Sequence, residues 1–244
     1  MFFDDYPLFY ETSKTASSKA RLNVRHQAII EANRDILKGA RVLDLASHDG
    51  RWSFAALKAG AAHVTGVEAR PQLVENANKT FAEYAVPTDQ YEFIAGDMFK
   101  VLQKKKFDVD VVICLGFIYH TLRYGELFRG IIDASPRHCI IDTKVLEGDE
   151  PLVRINVNHT GVQSNAAKDK ISHGRKALAG WPTLPALKLM LDVYDLDVEE
   201  EYDWPAMLAT LPKVDALRDY HVGNRVTLRC KARQTGTSST APTA

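Results

Sequence analysis

The sequence predicts an α/β domain, a doubly wound and mostly parallel sheet of seven strands with one antiparallel strand near the C-terminus. Three observations carry that expectation. Between residues 40 and 145, short apolar runs alternate with segments of helical periodicity. The run VDVVICL at 109–115 is apolar throughout after Asp110, as a central strand buried on both faces must be. After residue 145 the rhythm breaks, and two strand-like runs return at 198–204 and 225–230 to close the chain.

Each element has its own signal. Residues 18–37 carry Leu22, Ile29, Ile36 and Leu37 at helical spacing, with Ala28 and Ala32 between, and predict one N-terminal helix. The first strand is 42–45, and a helix over 52–59 ends at Gly60. HVTGVE at 63–68 is the second strand. Pro71 opens a helix over 72–85, and Val86-Pro87 lie beyond its end. YEFIA at 91–95 is the third strand and 109–115 the fourth, with a helix over 122–134. HCIIDTKV at 138–145 is the fifth strand. Residues 152–158 alternate like an edge strand. Residues 160–181 are polar and glycine-bearing and predict a loop or flap. A helix over 183–194 follows, and 214–220 holds a short one.

These readings divide the chain into an aromatic N-terminal segment and helix (1–39), a main domain (40–234) with a flap insertion at about 146–182, and a tail (235–244). The tail, TGTSSTAPTA within 235–244, is small and polar and is expected to be disordered. Apolar residues make up 45% of the 244, enough for a sizeable core. Lys plus Arg and Asp plus Glu are both 31, so the formal net charge is zero. That balance argues against bulk nucleic-acid binding, which draws on surplus Lys and Arg. Cys114, Cys139 and Cys230 lie singly in apolar runs, and read as buried thiols of a reducing compartment. No apolar run is long enough to span a bilayer, and MFFDDYPLFYE has no basic stretch ahead of its apolar residues. A cytoplasmic protein without a membrane partner is the expectation.

The stretch VLDLASHDG at 42–50 carries the chemistry. A dinucleotide loop needs G-x-G-x-x-G directly after the first strand, so that backbone N–H groups can approach a pyrophosphate. Here Ala46 and His48 stand where such a loop has glycines, and the acid Asp44 ends the strand. A carboxylate is a poor neighbour for a pyrophosphate and a better one for a cationic, amino-acid-like ligand. Glu68 ends the second strand about two dozen residues later, and its oxygens offer acceptors for vicinal hydroxyls. Ala95-Gly96-Asp97-Met98 follows the third strand, and LGFIYH (115–120) follows the fourth. Open α/β sheets bind ligands at this edge.

With these four motifs in order, the chain resembles the class I S-adenosylmethionine-dependent methyltransferases over roughly residues 40–145. The resemblance implies a Rossmann-like methyltransferase fold and S-adenosylmethionine as cofactor. It implies that Asp44, Ala46, Ser47, His48, Gly50 and Trp52 form the first cofactor loop. Glu68 and Ala69 would then serve the ribose, Asp97 and Met98 the adenine, and Leu115 and Gly116 the reacting end. Arg25 on the N-terminal helix is a candidate for the cofactor's carboxylate, and the aromatic cluster Phe2, Phe3, Tyr6, Phe9 and Tyr10 is either core or a lid.

A hydroxyl acceptor needs a proton acceptor, and His120 beside Tyr119 is the candidate base because an ordinary imidazole titrates near working pH. Asp142 is a further catalytic candidate, or a metal ligand. Related sugar O-methyltransferases hold Mg²⁺ with carboxylates, and Asp142 with His159, Asp169 or His173 is the candidate set. GFIYHTL and IIDTKV are similar to segments of compact actinobacterial sugar methyltransferases, the mycobacterial methylmannose polysaccharide 1-O-methyltransferases among them. That similarity implies a saccharide acceptor, with a mannoside 1-hydroxyl as one candidate. Trp181, Trp204 and Tyr202 are flat side chains that would suit a sugar face. GFIYHTL also resembles the wobble-uridine carboxymethyltransferases, so a tRNA-modifying enzyme is the alternative, and a non-catalytic cofactor-binding module is a third. A homodimer is a candidate assembly.

Overall fold

The computed structural model describes residues 1–12, 18–160, 171–212 and 214–233. Among them, β1 (Arg41–Leu45), β2 (His63–Glu68), β3 (Tyr91–Ala95), β4 (Val111–Leu115) and β5 (His138–Lys144) are parallel neighbours in one sheet. A separate antiparallel hairpin pairs β6 (Val153–His159) with β7 (Lys176–Pro182). β8 (Leu196–Glu201) and β9 (Arg225–Ala232) complete the main sheet, in the order β3-β2-β1-β4-β5-β9-β8. β9 runs antiparallel to both β5 and β8. This is the seven-stranded, mostly parallel sheet the sequence predicts, with β9 as its one reversed strand.

The helices are α1 (Lys19–Ile29), α2 (Arg34–Leu37), α3 (Arg51–Lys58), α4 (Pro71–Glu83), α5 (Met98–Lys104), α6 (Tyr124–Asp133), α7 (Leu184–Val193), α8 (Trp204–Ala209) and α9 (Arg218–His221). Side chains of successive strand residues enter cores on opposite faces. In β1, Val42 joins a core with Phe54 of α3 and Phe81 of α4, whereas Leu43 and Leu45 join a core with Phe99, Leu127, Phe128 and Leu187. Parallel strands covered on both faces need such a double core, which is why β4 reads as unbroken apolar sequence.

Four expectations change. The N-terminal helix is broken at Ile30 into α1, a 3₁₀ turn and α2. Asn33 is the cause: its buried amide donates to the carbonyls of Ala28 and Ile29 and so ends α1. α5 has no counterpart in the sequence reading. Its start is marked by Asp97, whose Oδ1 accepts from the Phe99 amide at 3.0 Å. β7 forms within the stretch expected to be loop, and β6 pairs with it rather than with the main sheet, while Asp169 and the rest of 161–170 lie outside the described residues. Trp204 starts α8 instead of ending a strand, capped by Asp203, whose Oδ1 accepts from the Ala206 amide. The tail beyond residue 233 also lies outside the described residues.

The aromatic N-terminal segment packs as core. Phe3 and Phe9 are fully buried, Phe9 lies 5.2 Å from the Phe54 ring, and Phe3 meets Trp52 edge to face at 5.7 Å. The three cysteines are free and buried. No helix among the described residues is long and apolar enough to cross a membrane.

Candidate active site

The strand order reverses between β1 and β4, and a cavity opens at the carboxyl ends of the strands around that switch point. Its walls come from the loop after β1 (Ala46, His48), the start of α3 (Arg51, Trp52), the end of β2 (Glu68, Ala69, Arg70) and the entry to α5 (Asp97, Met98, Phe99). The far end is built by Leu115, Gly116, Phe117, Tyr119 and His120 after β4. Arg21 and Arg25 of α1 and Arg225 of β9 close it.

The loop after β1 keeps a glycine-type backbone without the glycines. Ala46 and His48 sit at φ 57° and 56°, in the left-handed region that costs an ordinary residue about 1–2 kcal/mol. Gly50 follows at φ 76°, and a Cβ there would lie 2.7 Å from the Phe93 ring, so glycine is required twice over. The loop is braced from below. Asp49 is fully buried; its Oδ1 accepts from Arg51 Nε (2.6 Å), and its Oδ2 accepts from Arg51 Nη2 (2.8 Å) and from Thr12 Oγ1.

Not every sequence-nominated residue lines the cavity. Asp44 is 1% exposed and lies beneath the loop on the α3 side, where its Oδ2 accepts from Ser53 Oγ at 2.6 Å. Burial pushes its carboxyl up to about 7, with Glu68 and Asp49 nearby adding to the rise. Ser47 and Gly50, both within the loop, are likewise buried and stay outside the lining. Arg25, Ala46, His48, Trp52, Glu68, Ala69, Asp97, Met98, Leu115, Gly116, Tyr119 and His120 do line it.

Glu68 is buried and oriented by two backbone amides, His48 N onto Oε2 (3.1 Å) and Arg70 N onto Oε1 (2.9 Å). Asp97 is half-used: Oδ1 caps α5, whereas Oδ2 is buried with no hydrogen-bond partner. Arg25 is similar, with Nη2 on Asp142 at 2.8 Å, Nε buried and without a partner, and the guanidinium 5.0 Å from the Trp52 ring. An orphaned acceptor and an orphaned cationic donor in one cavity wall are costly for an empty site and suit a polar ligand.

Asp142 lies behind the wall. Its Oδ1 accepts from Arg25 Nη2 (2.8 Å) and from Arg225 Nε (2.8 Å) and Nη2 (2.6 Å), and its Oδ2 from Tyr220 OH (2.7 Å) and Thr227 Oγ1 (2.8 Å). The two guanidiniums overcome the burial penalty and hold this carboxyl well below the usual carboxylate range. The metal-ligand expectation for Asp142 is therefore corrected: both oxygens are taken by cationic and hydroxyl donors, which leave no lone pair aimed at a divalent ion. Among the described residues no group of three His, Cys, Asp or Glu converges as a metal site, and His159 and His173 are exposed on the hairpin side. Asp142 also does not reach the cavity as a catalytic group, but fixes two arginines that do.

His120 differs from the sequence expectation in its charge state. Burial, reinforced by Lys144, Arg225 and Arg70, pushes its imidazole down to about 4 instead of near neutrality. Its Nδ1 faces Asn158 Nδ2 of β6 at 2.9 Å, and with the amide turned this way its NH₂ donates and the ring hydrogen sits on Nε2. The hairpin is itself tied to the loop after β4, Gly180 N donating to Thr121 O at 3.0 Å. Trp204 stacks on Tyr220 at 3.7 Å and is core, whereas Trp181 is half-exposed beside Lys144. Sequence reasoning named Arg25 but missed Arg21, Arg51, Arg70 and Arg225, which come from four separate elements and share no local pattern.

Residues 42–134 match the sequence profile of a methyltransferase domain. The match covers less than half of the chain, and it spans the stretch from β1 to α6. The matched segment ends before β5, so the hairpin, β8 and β9 lie outside it. A putative ribosomal RNA large subunit methyltransferase of Methanocaldococcus jannaschii is 34% identical over 88 residues, which are 34% of this chain and 23% of that relative. A second relative from that organism, with the same description, is 30% identical over 125 residues, 45% of this chain and 32% of its own length. The chain thus spans less than a third of either curated relative. The magnesium protoporphyrin IX methyltransferase of Synechocystis PCC 6803, solved with bound SAH, superposes with a TM-score of 0.59 at 14% identity, covering 95% of this chain and 94% of that one. The N-terminal domain of EvdMO1, solved with SAH and D-fucose, gives 0.55 at 16% identity, covering 83% and 81%. At such identities the likeness is one of fold, and the chain has the Rossmann-like architecture the sequence predicts.

Proposed function

We propose that this protein is an O-methyltransferase that uses S-adenosylmethionine and acts on a hydroxyl of a small molecule. The single observation that carries the proposal is the cavity at the strand edge, with Glu68 and Asp97 at one end and Tyr119 and His120 at the other. The residues present fit the cofactor. Asp97 Oδ2, buried and unpartnered, suits the adenine amino group, and Glu68 keeps lone pairs for the ribose hydroxyls. Arg25 Nε suits the carboxylate of the methionine part. When bound, the cofactor supplies the electrophilic methyl group.

The chain's own residues have two further tasks, orienting the acceptor and taking its proton. His120 Nε2 is the proposed base. That role requires Nδ1 to carry the ring hydrogen, and so requires Asn158 to present its amide oxygen to Nδ1 rather than its NH₂. A neutral ring is ensured by burial, but a ring titrating at about 4 is a weak base, so charge must change around it when the acceptor enters. The phenol of Tyr119 lies beside His120, with ring centroids 4.3 Å apart, and would position the acceptor.

A sugar or oligosaccharide acceptor, with a mannoside 1-hydroxyl as one candidate, rests on the similarity of GFIYHTL and IIDTKV to sugar methyltransferases. The half-exposed Trp181 supports it as a stacking face. The second reading, methylation or carboxymethylation of RNA, is favoured by the ribosomal RNA descriptions of the two relatives. The zero formal net charge weighs against it. A non-catalytic cofactor-binding module is the third reading. The test is transfer of labelled methyl from S-adenosylmethionine to a panel of sugars, small hydroxylated acids and total RNA. Label in a small molecule supports the proposal; label in RNA alone, or in none of them, overturns it.

A further inference from the structure

Beside Tyr119, which lines the acceptor end of the cavity, stand cations that do not line it themselves and whose charge is not balanced there among the described residues. Lys144 closes β5 and stands directly across from Arg225, the first residue of β9, in the antiparallel register. Like charges directly opposite on neighbouring strands repel. Asp142, two residues earlier on the same face, answers Arg225, but its oxygens are shared with Arg25, Tyr220 and Thr227. No carboxylate among the described residues lies within 4.0 Å of the Lys144 ammonium, which instead sits 5.3 Å from the rings of both Tyr119 and Trp181. The hairpin adds a second cation, with Arg154 4.6 Å from the other partner ring, Trp181.

From this juxtaposition we infer that the acceptor bears an anionic group, a carboxylate or a phosphate, held by Lys144 and Arg154 between the rings of Tyr119 and Trp181. The inference rests on the methyltransferase reading above and narrows its substrate class. A half-buried ammonium between two aromatic faces is prepared for an anion: the rings limit its hydration and hold it in place, and the missing counter-charge must come from the ligand. The same anion would offset Lys144 and Arg225 around His120, and so return basicity to that ring when the acceptor is seated. Adenosyl binding is the business of the opposite end, through Glu68 and Asp97.

The test uses the full chain saturated with SAH, and follows the His120 ring signals by NMR while inorganic phosphate or benzoate is added against sodium chloride at matched ionic strength. The expected result is a saturable shift with at least one of the two anions and none with chloride, weakened at least tenfold in Lys144→Gln. A response to benzoate only identifies a carboxylate source, and a response to phosphate only identifies a phosphate source. No saturable shift with either anion, or an unchanged affinity in Lys144→Gln, overturns the inference. SAH affinity, measured in the same samples, separates the two levels. If SAH fails to bind the wild type, the cofactor reading is lost; if it binds both proteins and the anions do not, only the anionic acceptor is lost.

Discussion

Replacing Asp142 by asparagine removes the counter-charge that buried Arg25 and Arg225 share, and leaves Arg225 only the longer contact to Asp219 at 3.7 Å. Arg225 is 4% exposed, the Arg25 side chain 10% and Asp142 itself 0%. The asparagine oxygen can still accept from the arginines, and its NH₂ can face Tyr220 and Thr227, whose hydroxyls turn to accept. Shape and most hydrogen bonds survive, so the loss is the charge. Breaking a buried pair from one side costs about 3–5 kcal/mol. For a chain of this size that is a fall in melting temperature on the order of 6–20 °C. Urea unfolding at pH 7, followed by tryptophan fluorescence, measures it. The carboxyl is depressed in the fold, so its stabilisation is present above the unfolded carboxylate pKa. It is lost only as pH falls through the lower folded value. The deficit of the variant should therefore be constant from pH 6 to 8. A loss below about 1 kcal/mol would refute the idea that Asp142 is the electrostatic keystone of the cavity wall.

Three further outcomes are expected. His120→Ala should lower turnover by roughly 10² to 10⁴ while SAH affinity stays within about twofold, and unchanged turnover removes His120 from the mechanism. Asp44 titrates at about 7 in the fold against about 3.9 unfolded, so the native state holds a proton the unfolded state has released between those values, and stability falls as pH rises through that window. Asp44→Asn should abolish that slope, a difference of a few kcal/mol between pH 4.5 and pH 8 in urea unfolding; equal slopes in both proteins contradict the assignment. Ala46→Gly should stabilise the chain by about 1 kcal/mol by relieving the left-handed backbone, read as a higher urea midpoint, and a lower midpoint would show that the Ala46 methyl packs usefully.

Periodicity made the sheet legible, because each parallel strand is short, apolar and ended by a polar turn. β7 was illegible because a flap hairpin pairs outside the main core and its sequence, KALAGWP, alternates only weakly. α5 was hidden behind the motif that precedes it: Asp97 was read for its ligand role, although the same residue caps the helix. Site residues after β1, β2 and β3 could be named because an acid sits at or just past each strand end, and those after β4 because His120 is a titratable side chain in LGFIYH. The arginines could not, since Arg21, Arg51, Arg70 and Arg225 meet only through the fold. Asp142 was visible as an acid in an apolar strand, but its partners Arg25, Tyr220, Arg225 and Thr227 lie 78 to 117 residues away in sequence. No local spacing tells a buried counter-ion from a metal ligand.

The central claim is that Glu68 and Asp97 seat an adenosyl group at the carboxyl edge of the sheet. Isothermal titration of the full chain with SAH, beside NADH as the pyrophosphate alternative, tests it most directly. The account predicts saturable heat with SAH, at least tenfold weaker binding in Asp97→Ala, and no heat with NADH. Binding of NADH without binding of SAH would contradict it.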